Sequence, residues 1–281
     1  KDGRKMSKHL GNVLEPMSLM DQHGADAVRW YMLAAGSPWS ARRVGHDAIS
    51  DVVRKTLLTY WNTISFHALY AEASNFELSQ SPALKDRSTM DQWIISELNA
   101  LIAEVDKSYN DFDSQNAGRV LARFIDDLSN WYVRLNRKRF WIGDYTDDKR
   151  AAYQTLYTCL ETVSKLMSPI APFYADKLFR DLNAVTGFDK SESVHLAQFP
   201  ISDELVIDKT TVHPKYPQWS GSQDLNILKD GVNIGIAELK CYQMSNHFDY
   251  VKVLQQQNTE VFKKEYASEY WQIVSNCIIH G

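Results

Sequence analysis

The sequence predicts a mainly α fold, an up-and-down helix bundle followed by a small α+β extension at the C-terminal end. Three observations predict it. Eight Trp, fourteen Tyr and eleven Phe stand against only twelve Gly and eight Pro in 281 residues, which favours large packed side chains over a turn-rich, Gly-dependent architecture. From Asp47 to Met167 apolar residues recur at helical spacing over segments too long for strands. Past Pro200 the texture changes, with Leu225 to Leu228 and Val232 to Ala237 flanking Lys229-Asp230-Gly231 in the pattern of a β-hairpin.

Taken in order, residues 1–12 hold four basic side chains, Gly3 and Gly11 and no apolar period, so they read as an exposed, mobile loop. Pro16 opens a short helix through Met17, Leu19 and Met20 that ends at His23-Gly24, and Asp26 caps a second that buries Val28, Trp30 or Tyr31, and Leu33. Asp47 caps a long amphipathic helix to about Ala73, carried by Ile49, Val52, Val53, Leu57, Tyr60, Trp61, Ile64 and Ala68. Ser88-x-x-Asp91 resembles a capping box ahead of Trp93, Ile94, Leu98, Leu101, Ile102 and Val105. A third long helix runs from about Ser114 to Phe140 and a fourth from Asp147 to Met167, stopped by Pro169. Pro172 suits the first turn of a further helix, Phe173 to Leu182. A last helix is expected at Tyr250 to Ile279. The boundaries expected are 1–45 for the loop and connective helices, 46–200 for the bundle and 201–281 for the mixed extension.

With 44% hydrophobic and 23% charged residues the chain can bury one or two ordinary cores. Cys159, Cys241 and Cys277 are scattered and odd in number, which indicates neither a disulfide framework nor a zinc ribbon and suits a reducing cytoplasm. No apolar run reaches membrane-spanning length, and Lys1-Asp2-Gly3-Arg4 is neither an initiator methionine nor a signal peptide, so the chain reads as a fragment. The net charge of −4 argues against a polyanionic partner only as a sum. Between Arg119 and Arg139 six basic residues face only Asp126 and Asp127.

At about 100° per residue, Val120, Leu121, Phe124, Leu128, Trp131 and Leu135 of that helix fall within an arc of roughly 100°, an apolar seam. Arg119, Arg123, Asn130, Arg134 and Arg137 gather within roughly 60° on another side, and Lys138 and Arg139 extend the charge. Such a ridge can follow an RNA backbone while Trp131, Tyr132 or Trp141 stacks on splayed bases. It can equally be a solvated face that pairs with neighbouring carboxylates. Trp30, Trp61, Trp93 and Trp131 read first as core, with only Trp131 having a case for RNA, His67 and His195 lack metal-ligand companions, and Cys159 reads as a buried hydrophobe.

Lys5-Met6-Ser7-Lys8-His9, followed by Leu10-Gly11-Asn12, resembles the KMSKS signature of class I aminoacyl-tRNA synthetases in the form associated with their isoleucine branch, with His9 in place of the last Ser. Residues Gly24 to Tyr31, Trp61-Asn62-Thr63 and Asp127 to Arg134 are similar to segments of the same branch in the same order, so the resemblance covers about residues 1–200. Val194-His195-Leu196 before Phe199-Pro200 resembles the strap that closes the anticodon domain there.

The resemblance implies a bundle of the class I anticodon-binding type and a part in ATP-dependent charging of tRNA(Ile) with isoleucine, in the cytoplasm and as a monomer. Lys5 and Lys8 would neutralise charge developing on the phosphates of ATP, brought with Mg2+, and Ser7 and His9 would add hydrogen bonds. Arg119, Arg123, Asn130, Trp131, Arg134, Arg137 and Lys138 would meet tRNA. No His-x-Gly-His motif is present, so this chain alone is expected neither to activate an amino acid nor to hydrolyse a mischarged product, and to hold no cofactor tightly. Metal sites are not expected. Three readings compete: a valine, leucine or methionine relative, a non-catalytic RNA-binding module, and a helical protein-interaction bundle. After about Asp208 the resemblance ends, and Lys215 to Trp219 reads as a linker.

Overall fold

The computed structural model describes residues 6–37, 39–74, 82–141 and 143–208, the side chain of Val185 apart, together with the backbone of two strands at 224–229 and 232–238. The chain divides into two compact units, Lys1–Asp208 and Lys209–Gly281.

In the first unit a 3-10 turn at Lys8–Leu10 precedes α1 (Pro16–His23) and α2 (Ala25–Ala34). Helix α3 (His46–Val52) passes through a π-turn (Val53–Leu57) into α4 (Leu58–Ala73). There follow α5 (Thr89–Asn110), α6 (Ser114–Asp127), a second π-turn (Leu128–Val133), α7 (Arg134–Trp141), α8 (Asp147–Met167) and α9 (Pro172–Thr186). Local chemistry sets their ends. Pro16 and Pro172 open helices where an amide has no partner to lose. The side chains of Ser88, Asp113 and Thr146 accept the amides of Asp91, Asn116 and Lys149. Gly187 ends α9 at φ 59°.

Two caps read from the sequence lie elsewhere. Asp47 is the second residue of α3, whose N-cap is Gly45 and which has no side-chain cap. Asp26 sits inside the first turn of α2, and its carboxylate accepts the Tyr174 amide at 2.5 Å, so it caps α9 across the structure. Burial pushes this carboxyl above its ordinary range, against the opposing pull of that amide and of Arg29. One helical turn on, Arg29 donates to the carbonyls of Ile170 and Pro169, each at 3.0 Å. The Gly24–Tyr31 segment therefore clamps α2 to the α8–α9 corner.

Helix α8 is the centre, with Ala152, Tyr153, Leu156, Cys159, Leu160, Val163, Leu166 and Met167 all in the core. Tyrosine hydroxyls tie its neighbours to it. Tyr60 of α4 donates to the Leu160 carbonyl and lies 3.0 Å from Ser164 Oγ. Tyr109 of α5 donates to the Leu166 carbonyl at 2.9 Å. Tyr153 reaches the carbonyls of Tyr70 and Phe140, both at 2.8 Å. The ring supplies buried apolar area and the hydroxyl answers a buried acceptor, which is what the high tyrosine content is used for. Cys159 is fully buried and burial pushes its thiol up. His67 lies between the rings of Tyr153 and Tyr157, where burial lowers its pKa to about 4. No cluster of three metal-binding side chains occurs among the described residues, and no helix among them is long and apolar enough to cross a membrane.

Beyond α9 the chain is strapped down. Ser193 Oγ and the Val194 amide donate to Asp176 Oδ1 at 2.6 and 2.9 Å, and Phe199 packs edge-on against Tyr109. The Asp203 amide then donates to Asn99 Oδ1 and the Asp208 amide to Ser96 Oγ. In the second unit β1 (Asp224–Lys229) and β2 (Val232–Glu238) pair antiparallel, Leu225 opposite Ala237 and Lys229 opposite Val232, with an irregular register between Asn226 and Leu228. Gly3, Lys5, Lys215 to Trp219, Cys241, Cys277 and the helix expected at Tyr250 to Ile279 lie outside the described residues.

One close approach fixes α2 against α6. A Cβ on Gly118 would stand 2.1 Å from the Cβ of Ala34. At a roomy helical site Gly→Ala stabilises by about 1 kcal/mol. Here the overlap reverses the sign, and Gly118→Ala is expected to cost about 1–3 kcal/mol in denaturant unfolding, most of it recovered by Ala34→Gly in the same chain. A Gly118→Ala chain as stable as its parent would contradict the contact.

Candidate nucleic-acid interface

The helix expected to run unbroken from Ser114 to Phe140 is broken by the π-turn at Leu128–Val133. A π-turn takes in about one extra residue, so everything after it rotates by about 100° against a continuous α-helix. The burial pattern records that rotation. Leu121, Phe124 and Leu128 are buried as the seam requires, but Leu135, central in the expected seam, is 60% exposed, while Asn136 and Phe140 are buried in its place. Periodicity at a single α-helical angle cannot anticipate this.

The rotation divides the expected basic ridge. Arg119 and Arg123 remain on α6, where Arg119 donates to Asn116 Oδ1 at 2.5 Å and Arg123 lies 3.7 Å from Asp127. Arg139 points inward: it meets both oxygens of Asp91, at 2.9 and 2.8 Å, and Asp148 at 2.7 Å. Burial works against its charge, but these carboxylates outweigh burial and raise its pKa. Tyr132 is fully buried and donates to the same Asp91 at 2.5 Å, which removes it from the aromatic residues available for stacking. Burial pushes its phenol well up, so it stays a donor.

Arg134, Arg137 and Lys138 stay exposed on α7, with no carboxylate paired to them among the described residues. Arg134 and Arg137 line a cleft of about 230 Å³ together with Ser129, Asn130 and Val133 on one side and Asn62, Thr63 and Phe66 of α4 on the other. Asn130 Nδ2 donates to Asp126 at 2.6 Å, an orientation that leaves its carbonyl oxygen toward other partners. The Arg137 guanidinium stands 5.8 Å from the ring centres of both Phe66 and Trp141, within cation–π range. Trp141 is 44% exposed and Tyr70 lies 6.1 Å from it. Two arginines, two carboxamides and an open aromatic edge can hold a phosphate backbone and a splayed base side by side.

The cleft brings together residues that charge and periodicity did not single out. Phe66 carried no mark in the sequence, and Asn62 only the resemblance of Trp61-Asn62-Thr63. A signal existed: no Lys, Arg, Asp or Glu occurs from Thr56 to Ala71, more apolar helix than one core-facing stripe needs. Trp30 and Trp93 are core as expected, Trp131 is half-buried against it, but Trp61 is 43% exposed and Ala68 is exposed too, since both sit at the edge of the stripe.

Far along the sequence, the basic loop is folded into a compact turn. Leu10 and Gly11 amides donate to the Ser7 and Lys8 carbonyls at 3.1 and 3.2 Å, Gly11 takes φ 58°, and the Ser7 amide donates to Asn12 Oδ1 at 2.8 Å. Lys8 and His9 are exposed and Ser7 is half-buried. This presents a cation and an imidazole to solvent.

Comparison with known proteins places the chain in a family. A family model described as the anticodon-binding domain of tRNA ligase matches residues 91–263, more than half of the chain. A second, tRNA synthetases class I (I, L, M and V), matches residues 1–43. The isoleucine–tRNA ligases of Streptomyces avermitilis and Streptomyces coelicolor are 55% and 54% identical over 208 residues, 74% of this chain and 19% of each relative. That of Bacteroides fragilis is 54% identical over 211 residues, 74% of this chain and 18% of the relative. The chain thus spans about a fifth of the length of these relatives. Among solved structures, the ternary complex of Agrobacterium radiobacter LeuRS with tRNA and LeuAMS shares the fold at a TM-score of 0.53 and 19% identity, over 73% of this chain and 23% of that one.

The bearing of α7 rests on Asp91, whose side chain has no exposure, against 16% for Arg139. Arg139→Ala leaves that carboxylate buried without its cation and is expected to cost about 3–5 kcal/mol. Asp91→Asn with Arg139→Gln removes both charges and should cost clearly less than Arg139→Ala. Equal losses in thermal or denaturant unfolding would mean that the pair does not hold α7.

Proposed function

Because the chain belongs to the family of anticodon-binding domains of tRNA ligases, we propose that it is the loop-and-anticodon part of an isoleucine–tRNA ligase. In this reading residues 1–45 form the ATP loop and its connective helices, residues 46–200 an up-and-down anticodon-binding bundle, and residues 201–281 a small α+β extension. The cleft between α4 and α7 carries the proposal, because it gathers exposed arginines that no described carboxylate neutralises against an aromatic platform in a chain of net charge −4. A local cationic face of this kind binds RNA whatever the sign of the whole.

Arg134, Arg137 and Lys138 take phosphates of the anticodon stem-loop, Trp141 and the Phe66 edge stack on an unpaired base, and Asn62 and Asn130 offer hydrogen bonds to its edge. Arg119, Arg123 and the half-buried Trp131 contribute at the margin of that face. At the other end Lys8, with Lys5, closes on the phosphates of ATP as charge builds on them, Ser7 and His9 assist, and Mg2+ arrives with the nucleotide. Charging of tRNA(Ile) with isoleucine then belongs to the longer protein, in the cytoplasm, since this chain has no His-x-Gly-His motif to hold the nucleoside.

The chain is expected to shift an isoleucine anticodon stem-loop without ATP, and more tightly than valine, leucine or methionine stem-loops. Arg134→Glu with Arg137→Glu should weaken binding at least tenfold, on the order of two lost phosphate contacts, and lower the slope of log K against log salt by about two. Unchanged affinity and unchanged slope would overturn the assignment.

A further inference from the structure

The last residue of α1 and the first of α3 meet ring to ring. His23 Nε2 and His46 Nδ1 are 2.9 Å apart, with ring centroids 5.2 Å apart and planes tilted by 45°. A hydrogen bond between two imidazoles needs one nitrogen that carries a hydrogen and one that does not, so at least one ring is neutral whenever this contact exists. With both rings cationic, two N–H groups would face each other and the contact becomes repulsive. Imidazole gains its second proton within the range that cells and buffers explore.

Helix α1 has little buried surface of its own to hold it. It has eight residues, of which Leu19 alone is buried while Met17, Ser18, Asp21 and Gln22 are exposed. A helix of that length does not persist in water without tertiary support. The charged groups facing the pair are Asp47 and Asp51 of α3 and Arg54 of the π-turn, which line the same cleft of about 580 Å³ with Gln22 and His23. Asp51 is taken up by Arg54 at 2.8 Å and Lys55 at 2.9 Å, so Asp47 is the carboxylate of that cleft not engaged by a described cation. The charged residues of α2, which packs on both helices, are committed to the α8–α9 corner. Which ring donates depends on the tautomer, but one of the two facing nitrogens must be bare.

We propose that His23 and His46 form a proton-operated latch: with the acceptor neutral it ties α1 to the start of the bundle, and a second proton on the pair releases α1 and frees the segment that precedes it. The latch does not depend on what the Lys8–Leu10 turn binds. Elsewhere in the bundle the buried His67, held at about 4, stays neutral through the same pH range.

Amide hydrogen exchange of residues 13–24 in the 281-residue chain tests it, with rates corrected for the intrinsic pH dependence of exchange. Protection of α1 should fall about tenfold or more between pH 7.5 and 5.5 while that of α5 is unchanged. His46→Gln keeps a neutral acceptor for His23 at both pH values and should hold α1 protected at both. Protection of α1 that does not change with pH in the parent, or that falls as far in His46→Gln, overturns the latch. Imidazole ¹⁵N spectra of the parent give a second reading that needs no variant. Two coupled protonation steps with one acceptor nitrogen at neutral pH are expected; two rings that titrate independently, as free imidazoles do, overturn it as well.

Discussion

Asp91 is a carboxylate with no exposure to water, and a charge in that position is stable only when its oxygens are met. Arg139 meets both and Tyr132 donates to one. These partners belong to the π-turn and to α7, while Asp91 belongs to the first turn of α5. The carboxylate therefore decides which way α7 faces, and a second carboxylate, Asp148, fixes the start of α8 to the same guanidinium. With α6 held against α2 at Gly118 and α7 held against α5 at Asp91, the segment between them accommodates both by taking up the wider π-turn.

That accommodation shapes the proposed RNA face. A straight helix would line up Arg119, Arg123, Arg134 and Arg137 as one ridge. The turn instead carries Arg134 and Arg137 round to α4, where Asn62 and Phe66 complete a cleft and Trp141 supplies an open ring. Positive charge is thus concentrated beside hydrogen-bonding and stacking groups, which suits an unpaired loop better than a uniform duplex. The same arrangement explains how an overall acidic chain can hold a polyanion, because screening at physiological salt leaves binding to charges within about 8 Å.

Much of the fold was legible in the sequence because its helices are long, periodic and bounded by Pro, Gly and capping side chains. Helix α8 matches its expected span of Asp147 to Met167, and Ser88 caps α5. What stayed hidden were features that local pattern does not encode. Asp26 looked like the cap of its own helix and caps α9 instead, a partner 148 positions away. Asp91 looked like the return half of a capping box and is the anchor of α7. The π-turn answers two tertiary constraints at once, so Leu135 read as seam and is exposed, and Arg139 read as surface and is mostly buried. Of the loop, Lys8, Ser7 and His9 were legible as a motif, but not the Asn12 side chain that closes the turn.

The central claim is that the bend between α6 and α7 selects which arginines meet RNA. Arginine-specific chemical modification of the chain, with and without an isoleucine anticodon stem-loop and read residue by residue by mass spectrometry, tests it most directly. Strong protection of Arg134 and Arg137 by the stem-loop, weaker protection of Arg119 and Arg123 at the margin, and Arg139 unreactive throughout is the predicted result. Protection of Arg119 and Arg123 while Arg134 and Arg137 stay reactive would contradict it.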